Sequence, residues 1–286
     1  MSYSRIVSVV IENSSRAAHY FDKVRPFLRC FAAKNHLKFI EIRLGCLRPL
    51  SSGELLRQKL SDRETIARQI EDNDLVVSCG GDGVTQLTLD AVYFANLSLK
   101  IGASLAIIPL GNGNDFASAV NGRSASIDQI LRQNSRNFYP LLVDFEGDED
   151  LLFAIASYIT FGATTKLVEV LNQSDVRARR KVLARLTPAA SLPLAKISVL
   201  SQAISSDGFP DFWRSGVEYD HDSLGFFNVS AAHGLLRVAR HYLFDQTDFF
   251  FHLGTVADKN LARKILMAGR WMIKFPGRAT SAETIT

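Results

Sequence analysis

The sequence predicts an α/β protein: a three-layer α/β domain over residues 1–125, followed by a β-rich domain over 126–286. Three observations lead there. Strand-like apolar runs alternate with helical patterns through the first 125 residues, as in a parallel sheet covered by helices. Two of those runs, Leu75–Cys79 and Leu105–Leu110, each end in a polar, glycine-containing turn that leads into a helical pattern. Beyond residue 125 the strand-like runs follow one another, separated by acidic, glycine-containing or proline-rich loops.

Taken in order, Arg5–Ile11 reads as the first strand. Asn13-Ser14-Ser15 breaks it and can cap a helix over Arg16–Asn35, whose stripe Ala17, Tyr20, Phe21, Val24, Leu28 and Phe31 is core. Leu37–Leu44 is a second strand. Ser51 and Ser52 precede a helix through Leu55, Leu56 and Leu60, and Asp62–Ile70 is a further helical piece. Leu75–Cys79 then reads as a buried strand, Gly80–Gly83 as a turn, and Val84–Phe94 as a helix with Val84, Leu87, Ala91 and Phe94 on one side. Leu105–Leu110 is the next strand, with Gly111–Phe116 as its turn. Asn121-Gly122-Arg123-Ser124 reads as a linker closing the domain. In the second half the strand-like runs are Tyr139–Phe145, Leu152–Thr160, Leu194–Ile204, Phe226–Ala232 and Asp248–Leu253, with a helical insertion around Thr165–Leu186.

Composition narrows the classes. Apolar residues make up 47% and charged residues 22%, which is a soluble globular balance. The longest apolar stretch, Leu151–Ala163, is too short to span a bilayer, and no signal peptide opens the chain. Cys30, Cys46 and Cys79 are odd in number and without metal-ligand spacing, so they read as reduced thiols of a cytoplasmic protein. The six His residues form no zinc motif, and no basic-aromatic pattern of a nucleic-acid reader appears. The net charge of +4 permits attraction to an anionic surface.

The turns carry the chemistry. Strand, glycine turn and helix is the layout in which backbone N–H groups and a helix N-terminus face an anion. Glycines let phosphate oxygens approach the backbone, which a Cβ would prevent. Asp82 cannot itself welcome a phosphate, so it holds a metal ion, a hydroxyl or the loop. Asp115 is placed either to cap the next helix or to serve the site. Two such turns on neighbouring strands would face one crevice, where open α/β sheets bind ligands.

Gly80-Gly81-Asp82-Gly83, with Pro109-Leu110-Gly111-Asn112-Gly113-Asn114-Asp115-Phe116-Ala117, resembles the diacylglycerol-kinase catalytic family, which includes bacterial lipid kinases and sphingosine kinases. NAD kinases share the first motif and the fold but not the second motif. The resemblance implies an α/β nucleotide-binding domain followed by a β-sandwich lipid domain, with the active site between them. It implies ATP and Mg²⁺ as cofactors and transfer of phosphate to the hydroxyl of a diacylglycerol-like or sphingoid lipid. By the same resemblance Gly80, Gly81, Asp82 and Gly83 lie near the ATP phosphates, and Gly111, Asn112, Gly113, Asn114 and Asp115 complete the nucleotide side. Asp245 answers to an Asp-Gly that the family links to a structural magnesium, although Gln246 replaces its glycine. The partners expected are ATP, a lipid substrate met peripherally at an anionic membrane surface, and a second copy in a homodimer, with no nucleic acid.

The chain departs from the family at several positions. Val84 stands for a Thr, Leu87 for a Glu, and Ile155 for an Asn. The family's Asp-Gly-Glu, whose Asp is the expected base, has no counterpart; residues 269–276 resemble the segment leading to it and 279–286 the strand before it. Asp82 and Asp245 are then the candidates for a substitute base. A weakened or non-catalytic nucleotide- or lipid-binding relative is the alternative reading. Finally, Val176–Leu186 and Lys259–Phe275 read as basic helices. In the second, Leu261, Ile265, Ala268, Met272 and Phe275 share one face, with Arg263, Lys264, Arg270 and Lys274 as its charges; it either lies on an anionic membrane or packs on the protein's own core.

Overall fold

A computed structural model describes residues 3–12, 14, 17–45, 52–111, 114–122, 125–135, 137–143 and 152–162, together with the backbone of seven later strands. The chain forms two compact units; the first is built from Met1–Ser157 and the second begins at Tyr158.

The first unit is organised on four parallel strands, β1 (Arg5–Ile11), β2 (Lys38–Leu44), β3 (Asp74–Gly80) and β4 (Ser104–Pro109), in the order β2-β1-β3-β4. Side chains alternate across β1: Ile6 and Val10 join one buried cluster, while Val7 and Val9 join the other. Both faces are thus covered, which is why β1 and β3 read as nearly continuous apolar runs. One face is packed by a helical stretch made of α1 (Ala17–His19), a π turn (Tyr20–Val24) and α2 (Arg25–Lys34). Its buried residues Tyr20, Val24, Leu28 and Ala32 recur every four positions. A straight α-helix would drift about 40° per such step, and the wider π turn takes up the excess. Tyr20 bridges the sheet, its hydroxyl 2.8 Å from Ser8 Oγ and 3.1 Å from Glu41 Oε2.

The other face carries α3 (Ser52–Ala67) and α4 (Asp82–Ser98). The two helical pieces expected around residues 52–70 are one helix. Next come α5 (Asp115–Asn121) and α6 (Ile127–Arg132). The stretch expected as a domain-ending linker breaks α5 from α6 at Gly122, whose φ of 78° suits glycine. The Ser126 hydroxyl and the Gln129 side chain form a capping box for α6, and Ile130 and Leu131 bury themselves in the first core. The compact unit therefore runs past the expected boundary at 125 and takes in the antiparallel pair β5 (Leu141–Val143) and β6 (Phe153–Ile155).

The second unit is β-rich among the described residues. Its strands are β7 (Tyr158–Gly162), β8 (Phe212–Arg214), β9 (Val217–Tyr219), β10 (Ser223–Phe227), β11 (Ala231–Ala232), β12 (Leu236–Arg237), β13 (Phe249–Gly254) and β14 (Ala282–Ile285). Four of them make an antiparallel sheet in the order β14-β13-β10-β7; β8–β9 and β11–β12 are two-stranded. The helical insertion around 165–186, the expected strand at 194–204 and the basic helix at 259–275 lie outside the described residues.

Candidate functional site

The strand order decides where a ligand can sit. From β1 the chain moves to β2 on one side, then returns to place β3 on the other side. Such a reversal opens a crevice beyond the carboxyl ends of the strands. The turn at 80–83 leaves β3 at that end, and the turn at 111–114 leaves the adjacent β4. Gly80 pairs with Pro109 in register, and the Leu110 N–H donates to the Gly80 carbonyl at 2.8 Å.

The two turns meet backbone to backbone. A Cβ on Gly81 would lie 3.0 Å from the Gly111 Cα, and one on Gly111 would collide with the Gly81 Cα. Glycine at 81 and 111 is thus required by the turns themselves. Gly83 differs: a Cβ there meets nothing within 4 Å, and the residue is exposed. Gly81 is the N-cap of α4 and supplies no side-chain cap. The first amides of α4 have no intrahelical acceptor by construction, and the helix dipole adds positive potential at that point.

Asp82, in the first turn of α4, aims its carboxylate at the second turn. Oδ2 accepts the Asn114 N–H and Oδ1 the Asp115 N–H, both at 2.8 Å. Of the roles open to it, holding the loop is the one displayed. Asn114 sits in the left-handed region with φ 54°, which Asn tolerates better than most residues. Its side chain closes the turn by accepting the Gly111 N–H at 2.9 Å and donating to the Gly111 carbonyl at 2.7 Å. Asp115 is buried at the start of α5. Gly80, Gly81, Asp82, Gly83, Gly111, Asn114 and Asp115 are therefore brought together. Asn112, Gly113 and Asp245 lie outside the described residues.

Two departures from the family pattern have a structural place. The buried Val84 fills the space against Gly80, where its side-chain atoms stand in the way of any Cβ. Leu87 packs against the core cluster that contains Val84. Neither presents a polar atom. Cys79 in β3 is buried, and burial pushes its thiol up, as expected of an inert thiol.

Sequence reasoning missed a polar cluster farther along α4. Gln86 Nε2 donates to the Ala154 carbonyl at 2.6 Å, and its Oε1 accepts the Ala156 N–H at 2.7 Å. Asp90 Oδ1 accepts the Ala154 N–H at 2.7 Å. Burial pushes the Asp90 carboxyl up; the Ala154 N–H and the Arg63 charge oppose that. Arg63 from α3 donates to the Leu152 carbonyl at 2.7 Å and lies 3.7 Å from Asp90 Oδ2. Its guanidinium stands 4.8 Å from the Phe94 ring centre and 5.4 Å from that of Phe153. The available signal was Gln86 and Asp90 one helical turn apart in a helix otherwise read as an apolar face.

The donor set suits phosphate better than it suits a metal cage. Backbone amides, a side-chain-free N-cap and open space at Gly83 fit phosphate oxygens. Among the described residues no three His, Cys, Asp or Glu side chains cluster to hold a metal. Magnesium bound with ATP needs only one or two carboxylates beside the phosphates, and the expected metal residue Asp245 is not among the described ones.

Comparison with known proteins agrees with this geometry. Residues 52–139 match the family model of the diacylglycerol kinase catalytic domain. A solved structure of a diacylglycerol kinase from Bacillus anthracis str. Sterne aligns over 100% of this chain and 85% of its own, with 14% identity and a TM-score of 0.56. A second structure from the same organism aligns over 99% and 84%, with the same identity and score. At that identity the likeness concerns the fold alone. No curated protein matches.

Proposed function

From a chain whose residues 52–139 carry a diacylglycerol kinase catalytic domain, we propose an ATP-dependent lipid kinase, or a close relative of one. The nucleotide's phosphates lie against the turns at 80–83 and 111–115, and the acceptor is the hydroxyl of a diacylglycerol-like or sphingoid lipid. One observation carries this reading: the two glycine turns abut at the carboxyl ends of adjacent parallel strands, with the uncapped start of α4 between them. Asp82 fits the same reading. Its charge is spent on two backbone amides, so it shapes the cradle without facing the anion. Magnesium would arrive with ATP and neutralise phosphate charge. The lipid falls to the β-rich second unit, which we read as a sandwich.

Two experiments test this. Calorimetry with Mg·ATP on the wild type and Gly83→Val should show binding that the variant weakens, since a side chain at 83 meets no protein atom and would intrude only on a ligand. Unchanged affinity would move the site elsewhere. Labelled ATP with a lipid panel then tests transfer.

A second reading, nucleotide binding with little transfer, is favoured by Val84 and Leu87, both committed to apolar packing. Backbone amides suffice to bind phosphates, whereas a positioned base typically contributes about 10²–10⁴-fold. Turnover at least about two orders of magnitude below that of an intact family member is expected on diacylglycerol and sphingosine.

A further inference from the structure

Asp82, Gln86 and Asp90 recur every four residues along α4 and form one slanted polar stripe. All three side chains bind the backbone of other segments. Asp82 holds the second turn through the Asn114 and Asp115 amides. Gln86 and Asp90 hold the strand at 153–156: Ala154 has both its N–H and its C=O taken by α4 side chains, and Ala156 has its N–H taken. A carboxamide offers a donor and an acceptor as a peptide group does. Gln86 thus stands where another strand would, while β6 pairs with β5. Ala154 and Ala156 are buried, so a lost partner leaves a buried polar group unsatisfied.

We propose that Gln86 is a positioning residue: it ties the strand at 153–156 to the helix that presents the phosphate turn, so that a displacement of the turn is passed to the strand. That strand precedes Tyr158, where the second unit begins. The inference rests on the nucleotide reading of the turn for its meaning, but its mechanics do not. A helix is a stiff element, and Gln86 lies one turn from Asp82, the residue that locks the two glycine turns together. Asp90, one turn farther on, is also paired with Arg63, which leaves Gln86 as the contact nearest the turn.

The test is residue-resolved hydrogen exchange on the full chain without nucleotide, for wild type, Asp82→Asn, Gln86→Ala and the double variant. Exchange at the Ala156 amide should rise at least about tenfold in Gln86→Ala. Asp82→Asn should speed exchange at Ala154 and Ala156 when Gln86 is present, and by less than about twofold when it is already Ala. Unchanged exchange at Ala156 in Gln86→Ala, or an Asp82→Asn effect equal in both backgrounds, overturns the proposal. Gln86→Glu supplies an independent readout. An ionised Glu keeps the acceptor for the Ala156 N–H and loses the donor to the Ala154 carbonyl; protonation restores that donor. Its excess exchange over wild type at the same pH should therefore shrink as pH falls through the carboxylate range, and an excess that does not change with pH overturns the proposal. Calorimetry of the wild type with Mg·ATP is read separately: no binding withdraws the nucleotide reading of the turn, while the exchange cycle still decides the role of Gln86.

Discussion

Replacing Gly111 by Ala should unlock the two turns, and the cost can be worked from the geometry. The new Cβ would collide with the Gly81 Cα and lie 2.9 Å from Asn114 Oδ1 and 3.3 Å from the Gly81 nitrogen. Carbon atoms pack at about 3.5–4.0 Å, so the turns must separate by about 1 Å. No flexible side-chain end can absorb this, because the main obstacle is backbone. Separation strains the Leu110 N–H bond to Gly80 and the two amide bonds to Asp82, each 2.8 Å long. Overpacking costs about 1–3 kcal/mol, and one lost charge-assisted hydrogen bond adds about 1.5–3 kcal/mol. A net loss of about 3–5 kcal/mol is expected, or roughly 6–20 °C in the melting of the first unit. Gly83→Ala is the control. It sits inside α4 with nothing within 4 Å of the new methyl, so it should be neutral or stabilising by up to about 1 kcal/mol. Differential scanning calorimetry on both variants reads the difference. Gly111→Ala melting within about 2 °C of the wild type, less than 1 kcal/mol, would refute the claim that the turns lock by direct backbone contact.

Other outcomes follow from the same geometry. Asp82→Asn replaces one acceptor with a donor facing an amide, so melting temperature and Mg·ATP affinity should fall together, by about 1.5–3 kcal/mol in stability; a loss of turnover alone would mean that Asp82 touches the reacting groups. Asp62 is buried, and burial pushes its carboxyl up against the opposing hydrogen bond from Gln58. A raised folded value means the fold binds that proton more tightly, so stability falls as pH rises through the folded value. Asp62→Asn keeps an oxygen for Gln58 and should melt above the wild type at neutral pH, with the gain vanishing below about pH 4; a gain independent of pH would contradict this. If the helix at 259–275 meets an anionic membrane, reversing Arg270 and Lys274 to Glu should weaken binding to vesicles rich in anionic lipid, and salt should weaken it in the wild type. Absence of vesicle binding in the wild type would leave that helix a packing role.

The parallel sheet was legible because its strands are short apolar runs punctuated by glycine, and β1 spans the expected Arg5–Ile11. The adjacency of the two turns was legible for the same reason: each closes an apolar run and opens a helix. Their mutual contact was not. Nothing in Gly81 or Gly111 alone says that the nearest atom to its missing Cβ belongs to the other glycine. The end of the first unit was obscured because Gly122 and its polar neighbours look like a linker, while the capping box at Ser126 and the burial of Ile130 and Leu131 depend on tertiary packing. Gln86 and Asp90 were passed over since helical periodicity weighs apolar positions, and a polar side chain that binds a distant backbone leaves no periodic mark.

The Val84 and Leu87 substitutions bear on transfer rather than binding, and the geometry says why. The phosphate cradle is made of backbone: the Gly81 cap, the first amides of α4 and the open approach at Gly83. None of these depends on the side chain at 84 or 87. A Thr at 84 would keep the volume of Val and add a hydroxyl one turn into the helix, so Val84→Thr is the gentler reversal. A Glu at 87 would replace a side chain packed on the second core cluster, so Leu87→Glu gives up apolar burial as well. Restoring Thr alone should leave Mg·ATP affinity within about threefold, less than one neutral hydrogen bond is worth, while raising turnover if a polar contact to phosphate is what the site lacks. An affinity gain with no change in turnover would show instead that position 84 takes part in ground-state binding, and would remove it from the case for weak transfer.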